Sequence, residues 1–135
     1  MEILETRLHI ESWDEKPYRE EPDGRKWTRA EVTLSGDGDD GGLTGGSFEA
    51  LMYYRPDGTS TYVTLMRLSG ALGDRSGSVV LQGQGSYDGT TARVTATVVP
   101  GSGEDGWAGV TGEVESASTH ADYPYMPLTL RYNLG

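Results

Sequence analysis

At 135 residues the chain is the length of one domain, large enough to bury a core unaided, and it has no cysteine for a disulfide, a thiolate nucleophile or a thiolate-bound metal. A formal charge of −10, with the eleven Lys and Arg scattered, repels phosphate backbones and anionic lipid, so neither nucleic acid nor membrane is an expected partner. Met1–Glu5 lacks the basic and apolar regions of a signal peptide and no apolar run approaches a membrane span, so a cytoplasmic protein is expected.

Glu5 to Trp13 alternates Leu8 and Ile10 with Arg7, His9 and Glu11, the pattern of a strand with one apolar face. Glu15 to Lys26, charged and broken by Pro17, Pro22 and Asp23-Gly24, reads as a loop or covering flap. Lys26 to Ser35 alternates again and gives a second strand. The acidic stretch Gly36 to Gly42 places Asp37, Asp39 and Gly42 as in a calcium loop, but Phe48 stands where the bidentate Glu belongs, so a solvated turn is expected.

Gly46 to Tyr54 is a third strand, and the turn Arg55-Pro56-Asp57-Gly58 leads into a meander: Thr59 to Leu72, Arg75 to Tyr87 and Thr90 to Val99, joined at Gly73-Asp74 and Asp88-Gly89. Such short connections force neighbouring strands to lie antiparallel. Pro100 to Gly106 reads as a loop. Its GxGxxG spacing has no following helix to aim at a pyrophosphate, and Glu104 and Asp105 would repel one. Thr111 to Ser118 and Leu128 to Leu134 complete eight strands, with Thr119 to Pro127 as a loop between them. The expected fold is all-β, a single domain over residues 1–135 with little or no helix. A barrel or a sandwich satisfies the count, and the sequential connections favour an eight-stranded antiparallel β-barrel, whose interior either packs solid or holds one small ligand.

Several stretches together resemble the bacterial DUF3224 family: Ser12-Trp13-Asp14-Glu15 with Tyr18, Leu51-Met52, Arg75-Ser76-Gly77-Ser78 leading to Leu81-Gln82, Val98 to Gly103, then Gly109 and Gly112. The resemblance implies a small barrel similar to allene oxide cyclase, a wider group that includes cyclases of natural-product pathways with a mostly apolar lumen. Against the usual family pattern this chain has Met66 in place of an acidic residue, Gly83 and Gln84 in place of histidine, and Ala96 in place of an aromatic. Those departures imply a roomier, less ionisable lumen suited to a neutral organic ligand.

Parity assigns the lumen-facing groups. Met52, Tyr54, Tyr62, Thr64 and Met66 share the apolar side of the third and fourth strands, Val80, Gln82 and Gln84 are assigned to that side of the fifth, and Tyr132 lies on the apolar face of the last. Trp27 and Trp107, at strand ends, are expected to line the mouth or cap the core. Such a lining suits a flexible, largely apolar or amphipathic small molecule. The expected function is a cofactor-independent cyclase or isomerase, with Tyr54, Tyr62 and Gln82 as catalytic hydrogen-bonding groups and the others binding substrate; no metal or organic cofactor is called for. The alternative is a non-catalytic carrier or sensor of a hydrophobic ligand. A packed barrel acting through its surface, for instance as a homodimer across Leu51 and Tyr53, is the third reading. His9 and His120 are expected at the surface, and Glu49 and Arg67 in ion pairs on the outer face.

Overall fold

A computed structural model describes residues 1–37 and 42–134. The turn expected at Gly36 to Gly42 therefore falls largely outside the described residues. Nine strands form one antiparallel sheet: β1 (Glu2–Glu20), β2 (Lys26–Ser35), β3 (Leu43–Tyr54), β4 (Ser60–Leu72), β5 (Arg75–Tyr87), β6 (Ala92–Val98), β7 (Glu104–Asp105), β8 (Thr111–Ser118) and β9 (Tyr125–Asn133). The order β4-β3-β2-β1-β9-β8-β6-β5 closes on itself because β5 also pairs with β4, so eight strands make the barrel, and β7 is a short addition to the start of β5. Closure removes the exposed edges that an open sheet would leave, except along β1 beyond His9. No helix occurs among the described residues.

The meander is as expected. Leu72 pairs with Arg75 across Gly73, whose φ of 63° suits a two-residue turn. The second connection spans Asp88 to Thr91 instead of two residues, since the Asp88 carboxylate accepts from the Thr90 and Thr91 backbone amides and holds both in the turn.

The largest departure is in β1, which runs on to Glu20 through the segment expected to be a loop. Its pairing with β2 carries a bulge: Ile10 faces Leu34, Ser12 faces Thr33, and Glu11 is surplus. The inward side of β2 is Thr28, Ala30, Val32 and Leu34. Inward positions on β1 therefore change from Leu8 and Ile10 to Trp13 and Glu15, the partners of Val32 and Ala30. β1 pairs with β9 only from Glu2 to His9; beyond that point β2 is its one ladder partner among the described residues, with the Ile10 amide donating to the Pro124 carbonyl oxygen at 2.8 Å.

The barrel is therefore asymmetric along its axis. Leu8, Leu68, Leu81, Val114 and Leu130 fill one end completely, with Trp107 plugging it at 0% exposure. At the other end, the pairings Tyr54–Ser60–Tyr87–Ala92–Ser118 set one layer of residues around an opening.

Candidate functional site

Between the packed end and this rim lies a cavity of about 400 Å³. Its wall is mostly apolar, from Phe48, Met52, Met66, Val94 and Met126, with hydroxyls from Ser60, Thr64 and the tyrosines. Met52, Tyr54, Tyr62, Thr64 and Met66 all reach it, as their parity predicts. A glycine column makes room for them. Gly85 is the register partner of Tyr62, and a Cβ there would collide with the phenol ring. Tyr62 thus lies flat across β5, donating from its hydroxyl to the Arg93 carbonyl oxygen at 3.2 Å. Burial pushes its pKa up to about 12, so it is a neutral donor.

Four expected positions fall elsewhere. Inward residues of β5 are Val79, Leu81, Gly83 and Gly85, so Val80, Gln82 and Gln84 face out. The consecutive valines Val79 and Val80 leave parity ambiguous, and glutamine side chains beside glycines look like the functional face when the glycines are in fact the inward positions. Val80 lies under the loop after β6, its amide donating to Ser102 Oγ at 3.1 Å. Gln82 and Gln84 edge an outer groove of about 860 Å³ with Leu51, Val63, Leu65 and the Arg29–Glu49 ion pair. That groove is larger than the lumen but lies open along the barrel wall, whereas the lumen is ringed by the barrel strands. Trp27 also faces out, because Thr28 takes the inward position; it packs on Tyr53 and under Arg19.

Two more sit at the filled end. Trp107 caps the core there, its Nε1 donating to the Arg75 carbonyl oxygen at 2.9 Å, and Tyr132 packs against the same core. Neither lines the cavity. Glu49 forms the expected outer-face ion pair, with Arg29 as its partner.

The residue pattern missed the group that holds Tyr54. Glu15 Oε2 accepts from Tyr54 Oη at 2.6 Å and from Thr28 Oγ1 at 2.8 Å, while Oε1 accepts from Trp13 Nε1 at 2.9 Å. Burial opposes the charge on Glu15, but the hydrogen bonds from Tyr54, Trp13 and Thr28 and the nearby Lys26 outweigh it, so its pKa falls below the ordinary glutamate value. The same burial, with the Glu15 carboxylate beside it, raises that of Tyr54 and keeps it a phenol. Lys26 Nζ lies 4.8 Å from the ring centroid of Tyr54. His120 is exposed, as expected, and stands at the opening, with Nε2 3.3 Å from Tyr87 Oη.

A closed antiparallel barrel, solid at one end and hollow at the other, is the class of protein that this fold and site define. The chain belongs to the DUF3224 family: the family model, described as a protein of unknown function, matches residues 5–132. It is similar to the crystal structure of a protein with unknown function from the DUF3224 family of Shewanella oneidensis MR-1. The TM-score is 0.68 at 21% sequence identity, and the match covers 98% of each chain. At that identity the likeness shows the fold alone. No curated protein matches this chain.

Proposed function

We propose that this protein binds a small, flexible and largely apolar organic molecule in the lumen of its barrel. The cavity carries the reading: at about 400 Å³ it falls within the roughly 300–1,000 Å³ of small-molecule sites, and apolar side chains dominate its wall. Apolar area supplies affinity while a few hydroxyls fix orientation.

The Glu15–Tyr54 hydrogen bond favours a catalytic form of this reading, a cofactor-independent cyclase or isomerase related in kind to the allene oxide cyclase-like barrels. Enclosure alone, by holding the reacting ends of a flexible chain together, can account for roughly 7–11 kcal/mol of a barrier. A proton leaving the ligand would pass to Tyr54 Oη as the phenol's own proton moves to Glu15 Oε2, and the reverse transfer would return it elsewhere on the product. Without that transfer the same site is a carrier or sensor. Such fold-level kinship raises the catalytic reading without establishing it.

Ala92 stands at the rim, facing Tyr87 and Ser118 across the ladder. Ala92→Trp is expected to fill the opening and abolish the thermal shift given by apolar ligands, whereas Gln82→Ala, on the outer face, should leave that shift unchanged. Native mass spectrometry of the three proteins provides the second readout. Undiminished ligand uptake by Ala92→Trp would place binding outside the lumen. Chemical change of a ligand by wild type but not by Tyr54→Phe would separate the enzyme from the carrier.

A further inference from the structure

Ser60 begins β4 in the rim layer, between Tyr54 of β3 and Tyr87 of β5. The residue is among those that line the cavity, it is 1% exposed, and Oγ is the one fully buried side-chain polar atom found without a hydrogen-bond partner among the described residues. Desolvating a hydroxyl without a partner is costly, so buried ones are normally paired.

Four of the hydroxyls around it are committed, while Ser116 and Ser118 also line the cavity. Tyr54 donates to Glu15, Thr64 to the Glu49 carbonyl oxygen, Tyr62 to that of Arg93, and Tyr87 to that of Gly89. Ser60 differs from these in that its hydroxyl is fully buried yet has neither donor nor acceptor partner among the described residues, beside the apolar wall of Met52, Met66 and Val94.

Charge narrows what it can hold. Among the described residues no Lys, Arg, Asp or Glu lines the cavity, and its histidine, His120, is engaged with Tyr87. Lys26 lies on the ring of Tyr54, whose hydroxyl is held by the Glu15 carboxylate. A carboxylate head brought to Ser60 would lose its hydration without a cation in the lining to replace it, and would meet the field of Glu15. A neutral oxygen needs one hydrogen bond, which Ser60 supplies.

We infer that Ser60 is the head-group anchor of the lumen, and that the ligand class is an uncharged amphipath with an apolar body and one carbonyl or hydroxyl oxygen. This rests on the lumen being the binding site. The cavity of about 400 Å³ has room for roughly a dozen water-sized groups at about 30 Å³ each.

The test is displacement of the neutral dye N-phenyl-1-naphthylamine by 2-decanone, decane and decanoate, with wild type and Ser60→Ala. In wild type, 2-decanone should displace the dye at a concentration about tenfold below that of decanoate. Ser60→Ala should raise the 2-decanone concentration needed by about tenfold, as loss of one buried hydrogen bond predicts, and leave decane unchanged. Because the hydroxyl is unpaired without ligand, Ser60→Ala should unfold at the same temperature as wild type or higher.

Equal 2-decanone displacement from the two proteins would overturn the anchor while leaving the lumen reading intact; it would mean that Ser60 bonds an ordered water only. Decanoate matching 2-decanone in wild type, a comparison independent of any variant, would overturn the neutral-ligand class. Failure of every compound to bind would overturn both the anchor and the lumen reading.

Discussion

Trp107→Ala is expected to lower the stability of the barrel by about 3–5 kcal/mol, the range for truncating a large buried aromatic, read from the midpoint of urea unfolding. The indole is at 0% exposure, and its Nε1 is satisfied by the Arg75 carbonyl oxygen. Gly77 lies directly beneath it, so close that a Cβ there would stand 2.7 Å from Trp107 Cγ. Gly77 itself has no side chain to fall into the space. The cavity left would also free the loop that carries β7, whose Glu104 and Asp105 pair with Ser78 and Gly77. A loss of less than about 1 kcal/mol, the scale of an ordinary surface substitution, would show that this end of the barrel is not the stabilising core.

Glu15→Ala should cost about 1–3 kcal/mol, because the buried Thr28 hydroxyl, the Tyr54 phenol and the Trp13 indole N–H all lose their acceptor. Glu15→Gln, which keeps one acceptor oxygen, should lose less. The carboxyl has a lower pKa in the folded protein than the ordinary value. Its ionic contribution is therefore complete above the unfolded-state pKa and disappears as the pH falls through the folded one. Unfolding curves of wild type and Glu15→Gln should keep their separation above the ordinary glutamate pKa and converge as the pH falls below it. A gap that stays constant as the pH falls would mean that the charge of Glu15 contributes nothing.

The barrel itself was legible in the sequence because three long alternating segments are joined by turns too short for any crossover. Its lumen was legible on β3 and β4, where the apolar parity from Met52 to Met66 is unbroken. It failed on β5, where the inward face is written in glycines: Gly83 and Gly85 face the lumen by having no side chain, and Gln82 and Gln84 occupy the wall outside. It failed again on β1, where the extra residue at Glu11 shifts the period by one and carries Glu15 inward from a segment whose charge and prolines suggest a loop. Trp107 was visible as an aromatic at a strand end, but which end of the barrel it closes depends on the long-range approach of the β6–β8 loop to Gly77. Spacing along the chain contains no such contact.

The parting of β1 from β9 after His9 leaves the far half of β1 with one row of backbone groups that no neighbouring strand occupies among the described residues. A bare strand margin beside an apolar mouth is a template on which another chain could add and assemble into fibres. Here the margin is defended by its own residues: Pro17 offers no N–H, Asp14, Lys16, Arg19 and Glu20 would have to be stripped of water, and the net charge of −10 keeps copies apart. The barrel can therefore keep a split mouth while remaining a poor seed for its own aggregation.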